Sequence, residues 1–106
     1  MYFSSLDGQG TTLSFSMGVI RDVSQSGVAL EVYSAPESEL VLLSFIDVSG
    51  NTREMRGKTV YSKNFESGLV KMGVMLLGSS AEIISFVKEL VRFHHYTKKS
   101  VSDNPS

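Results

Sequence analysis

Turn-forming residues interrupt this chain roughly every ten residues, with short apolar runs between them. Residues 28–32 alternate apolar and polar side chains, as expected of a strand with one buried face. This spacing leaves little room for helices over most of the chain and favours antiparallel pairing of neighbouring segments. The predicted strands are residues 1–5, 11–21, 28–32, 40–48, 52–62 and 69–77.

One helix is predicted after the last strand, at about residues 80–96. Ser79 followed by Glu82 fits a capping box, in which each side chain binds the other residue's backbone amide. Apolar residues then recur at helical spacing and form a broad stripe. The stripe consists of Ile83, Phe86, Val87, Leu90, Val91 and His94. The polar residues 98–106 are predicted to form a flexible tail.

These elements predict a single domain over residues 1–97 of the 106-residue chain. The expected class is all-β with one C-terminal helix, arranged as a six-stranded antiparallel β-barrel with the helix over an opening or flank. Closure would remove the edges that a flat sheet leaves open to aggregation. The alternative is an open, strongly curved sheet with the helix on its concave side.

Composition excludes several classes of function. The net charge of −1 gives no non-specific attraction to DNA, RNA or an anionic membrane. No apolar run approaches the ~20 residues that span a bilayer, and a secretion signal is lacking, so no membrane insertion is expected. The absence of cysteine excludes disulfides and thiolate metal sites and fits a cytoplasmic protein.

The segment 22–27, Asp-Val-Ser-Gln-Ser-Gly, places a carboxylate, a hydroxyl and a glycine at fixed spacing between two strands. In a structural interpretation, Asp22 and Ser24 close the turn with local hydrogen bonds and Gly27 supplies a positive φ. In a functional interpretation, Asp22 and Ser24 read the donor edge of a small polar ligand. The segment alone leaves both open.

Asp22, Ser24 and Gly27 match an Asp-x-Ser-x-x-Gly motif, and Gly73 to Leu76 match a Gly-Val-x-apolar last strand before a terminal helix. In motif, order and spacing, the chain resembles a PilZ domain from about Thr11 to Tyr96. The resemblance implies a six-stranded barrel that binds the bacterial second messenger cyclic di-GMP and signals without catalysis to an effector protein or fused domain. It also implies that Asp22, Ser24 and Gly27 contact guanine.

The family's first motif, Arg-x-x-x-Arg, is not found: no arginine precedes Arg21. Those arginines hold the phosphates in the family, and Arg21 is a weak candidate to replace them. Arg56 and Lys58 share a strand face by period two and are interpreted as a solvated surface. The alternative function is that of a degenerate PilZ domain that does not bind the nucleotide and acts as a protein–protein interaction module.

Other patterns are interpreted as structural. Asp47-Val48-Ser49 repeats half of the motif, but residue 52 is threonine, which predicts hairpin chemistry. His94 and His95 lie about 100° apart on a helix and cannot bind one metal together. No catalytic residues, metal ligands or cofactor are predicted. Four methionines are predicted to fill the core: Met17, Met55, Met72 and Met75.

Overall fold

The computed structural model describes residues 1–65 and 67–102, with side chains described as far as residue 95. It is mostly antiparallel β-structure with one C-terminal helix, as predicted. The elements are β1 Tyr2–Leu6, β2 Thr12–Met17, β3 Val19–Val23, β4 Gly27–Val32, β5 Leu40–Ile46, β6 Thr52–Asn64, β7 Val70–Leu77 and α1 Ser80–Ser102.

The predicted six-stranded closed barrel is wrong. The strands form one seven-stranded sheet in the order β2-β1-β5-β6-β7-β4-β3, and it is not closed. The extra strand arises because the predicted strand 11–21 is divided at Gly18 into β2 and β3. The two halves lie at opposite edges of the sheet: β2 pairs with β1, and β3 pairs with β4.

Gly18 therefore connects the two edges of the sheet. In a flat seven-stranded sheet the edges would lie roughly 29 Å apart, whereas one intervening residue spans about 7 Å. The sheet must therefore curl until its edges approach each other. Gly18 is also hydrogen-bonded to Met1, the residue before β1. The Gly18 amide donates to the Met1 carbonyl at 2.9 Å, and the Met1 amino group donates to the Gly18 carbonyl at 3.3 Å.

The inward face of the curled sheet and one side of α1 enclose the core. Phe45 on β5 joins the two, with its ring 5.4 Å from that of Phe86 and 5.1 Å from that of Phe93. The fully buried side chains include Phe3, Leu30, Leu43, Met72 and Leu90.

The helix begins as predicted and ends later. The Ser79 hydroxyl accepts from the Glu82 amide at 3.2 Å, and the Glu82 carboxylate accepts from the Ser79 amide at 3.3 Å, which confirms the capping box. Val91 was wrongly included in the apolar stripe, because it is exposed while Phe93 packs on the core. The helix continues to Ser102, so part of the predicted tail is helical and residues 103–106 lie outside the described residues.

The methionine prediction is half right. Met55 and Met72 are buried in the core, as predicted. Met17 and Met75 are exposed, because each lies on the outward face of its strand. Their exposure shows that the outward face of this sheet carries large apolar side chains.

The loop after β5 confirms the hairpin interpretation of Asp47. Its carboxylate accepts from the amides of Ser49 and Asn51, each at 2.9 Å, and from Nε of Arg53 at 2.8 Å. The hydrogen bond from Arg53, followed by that from the Asn51 amide, lowers the pKa of Asp47 below its usual value of 3.8. The buried Asp47 side chain, in its charged form, thus stabilises the β5–β6 hairpin.

Asp47→Asn is expected to lower the melting temperature at neutral pH. Because folding lowers the pKa of Asp47, its stabilisation is fully present above the unfolded value and is lost as the pH falls through the folded value. The wild-type and variant melting curves should therefore converge in acid. Thermal unfolding followed by circular dichroism between about pH 2 and pH 7 tests this. A constant difference in melting temperature across that range would contradict it.

Candidate functional site

Four strands contribute one residue each to a row across the outward face of the sheet. Asp22 on β3 pairs with Ala29 on β4, Ala29 pairs with Gly73 on β7, and Gly73 pairs with Tyr61 on β6. Ala29 and Gly73 at the centre of the row are small, and Asp22 and Tyr61 at its ends are larger. This arrangement makes a groove.

The groove has a volume of about 380 Å³. Its floor is the Ala29–Gly73 pair, and its walls come from the β3–β4 loop on one side and β6 on the other. A volume of this size is at the lower end of small-molecule sites. The polar lining residues are Asp22, Ser24, Ser26 and Tyr61.

Tyr61 reaches the groove because of a bulge in β6. Thr59 pairs with Val74 and Tyr61 with Gly73, so Val60 is the extra residue. Simple alternation from the exposed Lys58 would put Tyr61 on the inward face, and the bulge turns it outward. Its ring lies over Gly73, where any Cβ atom would overlap Cε1 of the ring.

Gly73 is thus a point of close approach between β7 and β6. Tyr61 is 48% exposed as a residue, and its ring both packs on Gly73 and lines the groove. Sequence reasoning missed Tyr61. The available signal was the strand glycine itself, because aromatic side chains often cover such glycines from the neighbouring strand.

A second bulge places Asp22. The register of β3 shifts between Ile20 and Asp22, so the buried Ile20 is followed by two exposed residues, Arg21 and Asp22. The Asp22 carboxylate accepts one hydrogen bond, from the adjacent Val23 amide at 2.9 Å. Its other oxygen has no partner among the described residues.

Two other aspartates show what a purely loop-forming carboxylate does in this protein. Asp7 accepts from the amides of Gln9 and Thr11, each at 2.8 Å, and Asp47 has the equivalent pair of loop amides. Asp22 lacks such a pair and faces the groove instead. Its carboxylate is therefore available to accept hydrogen bonds from a ligand.

Ser24 and Gly27 hold the turn beside Asp22. The Ser24 amide donates to the Gly27 carbonyl at 2.9 Å, and the Ser24 hydroxyl donates to the same carbonyl at 3.3 Å. The positive φ that the structural interpretation assigned to Gly27 is not observed: the glycines with positive φ are Gly10, Gly50, Gly68 and Gly78. Gly27 is required for close approach, because a Cβ atom there would lie 2.9 Å from the Val74 carbonyl oxygen.

Arg21 does not line the groove. Its Nε lies 2.8 Å from the Glu31 carboxylate, and the hydrogen bond to Glu31 followed by the charge of that carboxylate raises the pKa of Arg21. The structure thus places Asp22, Ser24 and Gly27 along the groove, whereas Arg21 forms an ion pair with Glu31 and does not line it.

Lysines lie on both sides of the groove. Lys58 pairs with Met75, which lines one side, and its Nζ is 4.0 Å from Glu39. On the other side, Lys71 pairs with Glu31 and with Lys63. In pairing register these three lysines flank the groove, and sequence reasoning had noted only Lys58.

Comparison with protein-family models, curated proteins and solved structures found no match. Within residues 1–65 and 67–102, no group of three or more histidines and carboxylates is placed to hold a metal ion. The same part of the chain contains no helix long and apolar enough to cross a bilayer.

Gly73→Ala is expected to displace the Tyr61 ring and to lower the free energy of unfolding by about 1–3 kcal/mol, as overpacking does in a well-filled site. Urea unfolding measures the loss, and the ring resonances of Tyr61 report the displacement. Gly8→Ala is the matched control, because open space surrounds a Cβ atom at Gly8. Equal stability of the two variants would show that Tyr61 does not pack on Gly73.

Proposed function

We propose that the groove binds a guanine base of cyclic di-GMP and that the protein is a non-catalytic signalling domain of the PilZ type. The observation that carries this proposal is the exposed Asp22 carboxylate, which lines the same groove as the Tyr61 ring and has one oxygen without a partner among the described residues. The likeness of residues 22–27 and 73–76 to PilZ motifs supports the same ligand.

Guanine suits the two ends of the groove. Its Watson–Crick edge presents neighbouring N–H donors, and the Asp22 carboxylate accepts both, whereas adenine has no such donor pair. The base then lies above Ala29, with its far side against the part of the Tyr61 ring that faces the groove. Stacking on an aromatic side chain contributes about 1–3 kcal/mol per base. Ser24 is placed to contact the base or a bridging water.

The phosphates need other partners, because Asp22 repels them. Arg21 is held by Glu31, so the role falls to the flanking lysines Lys58, Lys63 and Lys71. These lysines lack the bidentate geometry that arginine offers to phosphate. The groove accommodates one nucleoside end, and the rest of the dinucleotide lies over its rim. The expected affinity is weak, with a dissociation constant of roughly 10⁻⁴ M or above.

A protein-interaction module is the second candidate function. It is favoured by the exposed apolar side chains of Leu13, Phe15 and Met17 on β2, whereas Asp22 lies on β3 at the other edge of the sheet. The two functions are compatible, since the groove and these β2 side chains involve different parts of the outward face.

Asp22→Asn is expected to weaken binding of cyclic di-GMP by at least about tenfold, because it replaces a charged acceptor facing the base with a partial donor. Tyr61→Ala should cause a similar loss through stacking, and Tyr61→Phe should retain most of the affinity. Titration calorimetry at high protein concentration gives the affinities, and cyclic di-AMP should bind more weakly than cyclic di-GMP.

Asp7→Asn is the matched control, because Asp7 is a turn aspartate that does not line the groove. It should bind like the wild type. Equal affinities for the two dinucleotides, or equal losses in Asp7→Asn and Asp22→Asn, would contradict guanine recognition at this groove. No binding at millimolar ligand would remove the nucleotide function altogether.

A further inference from the structure

In the segment that links the two sheet edges, the apolar side chains face outward rather than toward the core. Leu13, Phe15, Met17 and Val19 all point outward, and we call them the apolar row. The residues between them, Ser14, Ser16 and Gly18, are small and face inward. This is the reverse of the usual arrangement for a half-buried strand.

The row is exposed and its strand edge is open. Phe15 is 65% exposed, and its ring stacks on Tyr2 of β1 with 5.2 Å between ring centroids. β2 pairs with β1 alone, as expected of an edge strand. Edge strands normally carry charges, proline or bulges on the open side that prevent pairing with other chains. From residue 8 to residue 20 there is no charged residue and no proline. The pairing of β2 with β1 has a bulge at Leu13, and residues 14–17 pair regularly.

We propose that β2 pairs with β2 of a second copy of this chain, antiparallel and across a two-fold axis centred on Phe15. In that register Phe15 lies opposite Phe15 of the second copy, Leu13 lies opposite Met17, and Ser14 lies opposite Ser16. Apolar residues thus meet apolar residues and serines meet serines. The strand is self-complementary, as a two-fold interface requires.

Charge favours a second copy as the occupant. Since the strand is uncharged, a copy of itself meets no like charge, and a charged partner would find no complement. The apolar row and Tyr2 are between 38% and 65% exposed. At roughly 150–250 Å² for a large side chain, they present on the order of 400–600 Å². Strand pairing covers part of this area together with the open backbone edge of β2, which is the size of a weak, reversible interface rather than the ~800 Å² per partner of a standard one.

Sedimentation equilibrium of the full chain from about 5 to about 500 µM tests the proposal. The average mass should rise toward twice that of the monomer. Phe15→Lys and Phe15→Glu should each raise the dissociation constant at least about tenfold, because each places like charges opposite each other at the two-fold axis. An equimolar mixture of the two variants should associate again, because opposite charges then meet there.

Ile84→Lys is the matched control, because Ile84 is 66% exposed on α1, away from β2. It should associate like the wild type. A wild-type chain that stays monomeric over the whole range would overturn the proposal. So would association that Phe15→Lys leaves unchanged, or a pair of charged variants that do not recover association when mixed. Circular dichroism of each variant establishes that it is folded.

Discussion

A single glycine separates the two edge strands, and the geometry of the sheet follows from that connection. Because β2 ends at Met17 and β3 begins at Val19, the sheet must bring its edges together at Gly18. A side chain at Gly18 would lie 2.8 Å from Cγ1 of Val32, so the residue type is restricted by packing against β4. The resulting curl encloses the core and leaves a continuous outward face. Both proposed functions lie on that face.

The groove depends on two irregularities rather than on regular strand geometry. One bulge turns Asp22 outward at the end of β3, and the other turns Tyr61 outward on β6. Between them lie the small residues Ala29 and Gly73, and the Tyr61 ring covers Gly73. Bulges often re-aim side chains in this way at functional sites. Here, two of them direct an acceptor and an aromatic ring toward the same small floor.

Local chemistry was predictable from the sequence where it depended on near neighbours. The capping box at Ser79 and Glu82 and the Asp47 hairpin both involve residues a few positions apart, and both were confirmed. The division of the strand at Gly18 was not predictable in this way, because it depends on β1 and β4, which are distant in sequence.

The candidate site shows the same limit. The cluster of Asp22, Ser24 and Gly27 followed from their spacing, and the structure places all three along the groove. Tyr61 was missed because alternation from Lys58 puts it on the wrong face unless the bulge at Val60 is known. Conversely, Met17 was expected in the core because apolar content gives the strand but not the direction of its side chains.

The most direct test of guanine recognition at the groove is an NMR titration of the isotope-labelled chain with cyclic di-GMP. The backbone amides of Ser24, Gly27, Ala29 and Gly73 should shift progressively with ligand, and those of residues 12–17 on β2, which do not line the groove, should not. Shifts confined to other surfaces, or none at millimolar ligand, would contradict the assignment of this groove as a nucleotide site.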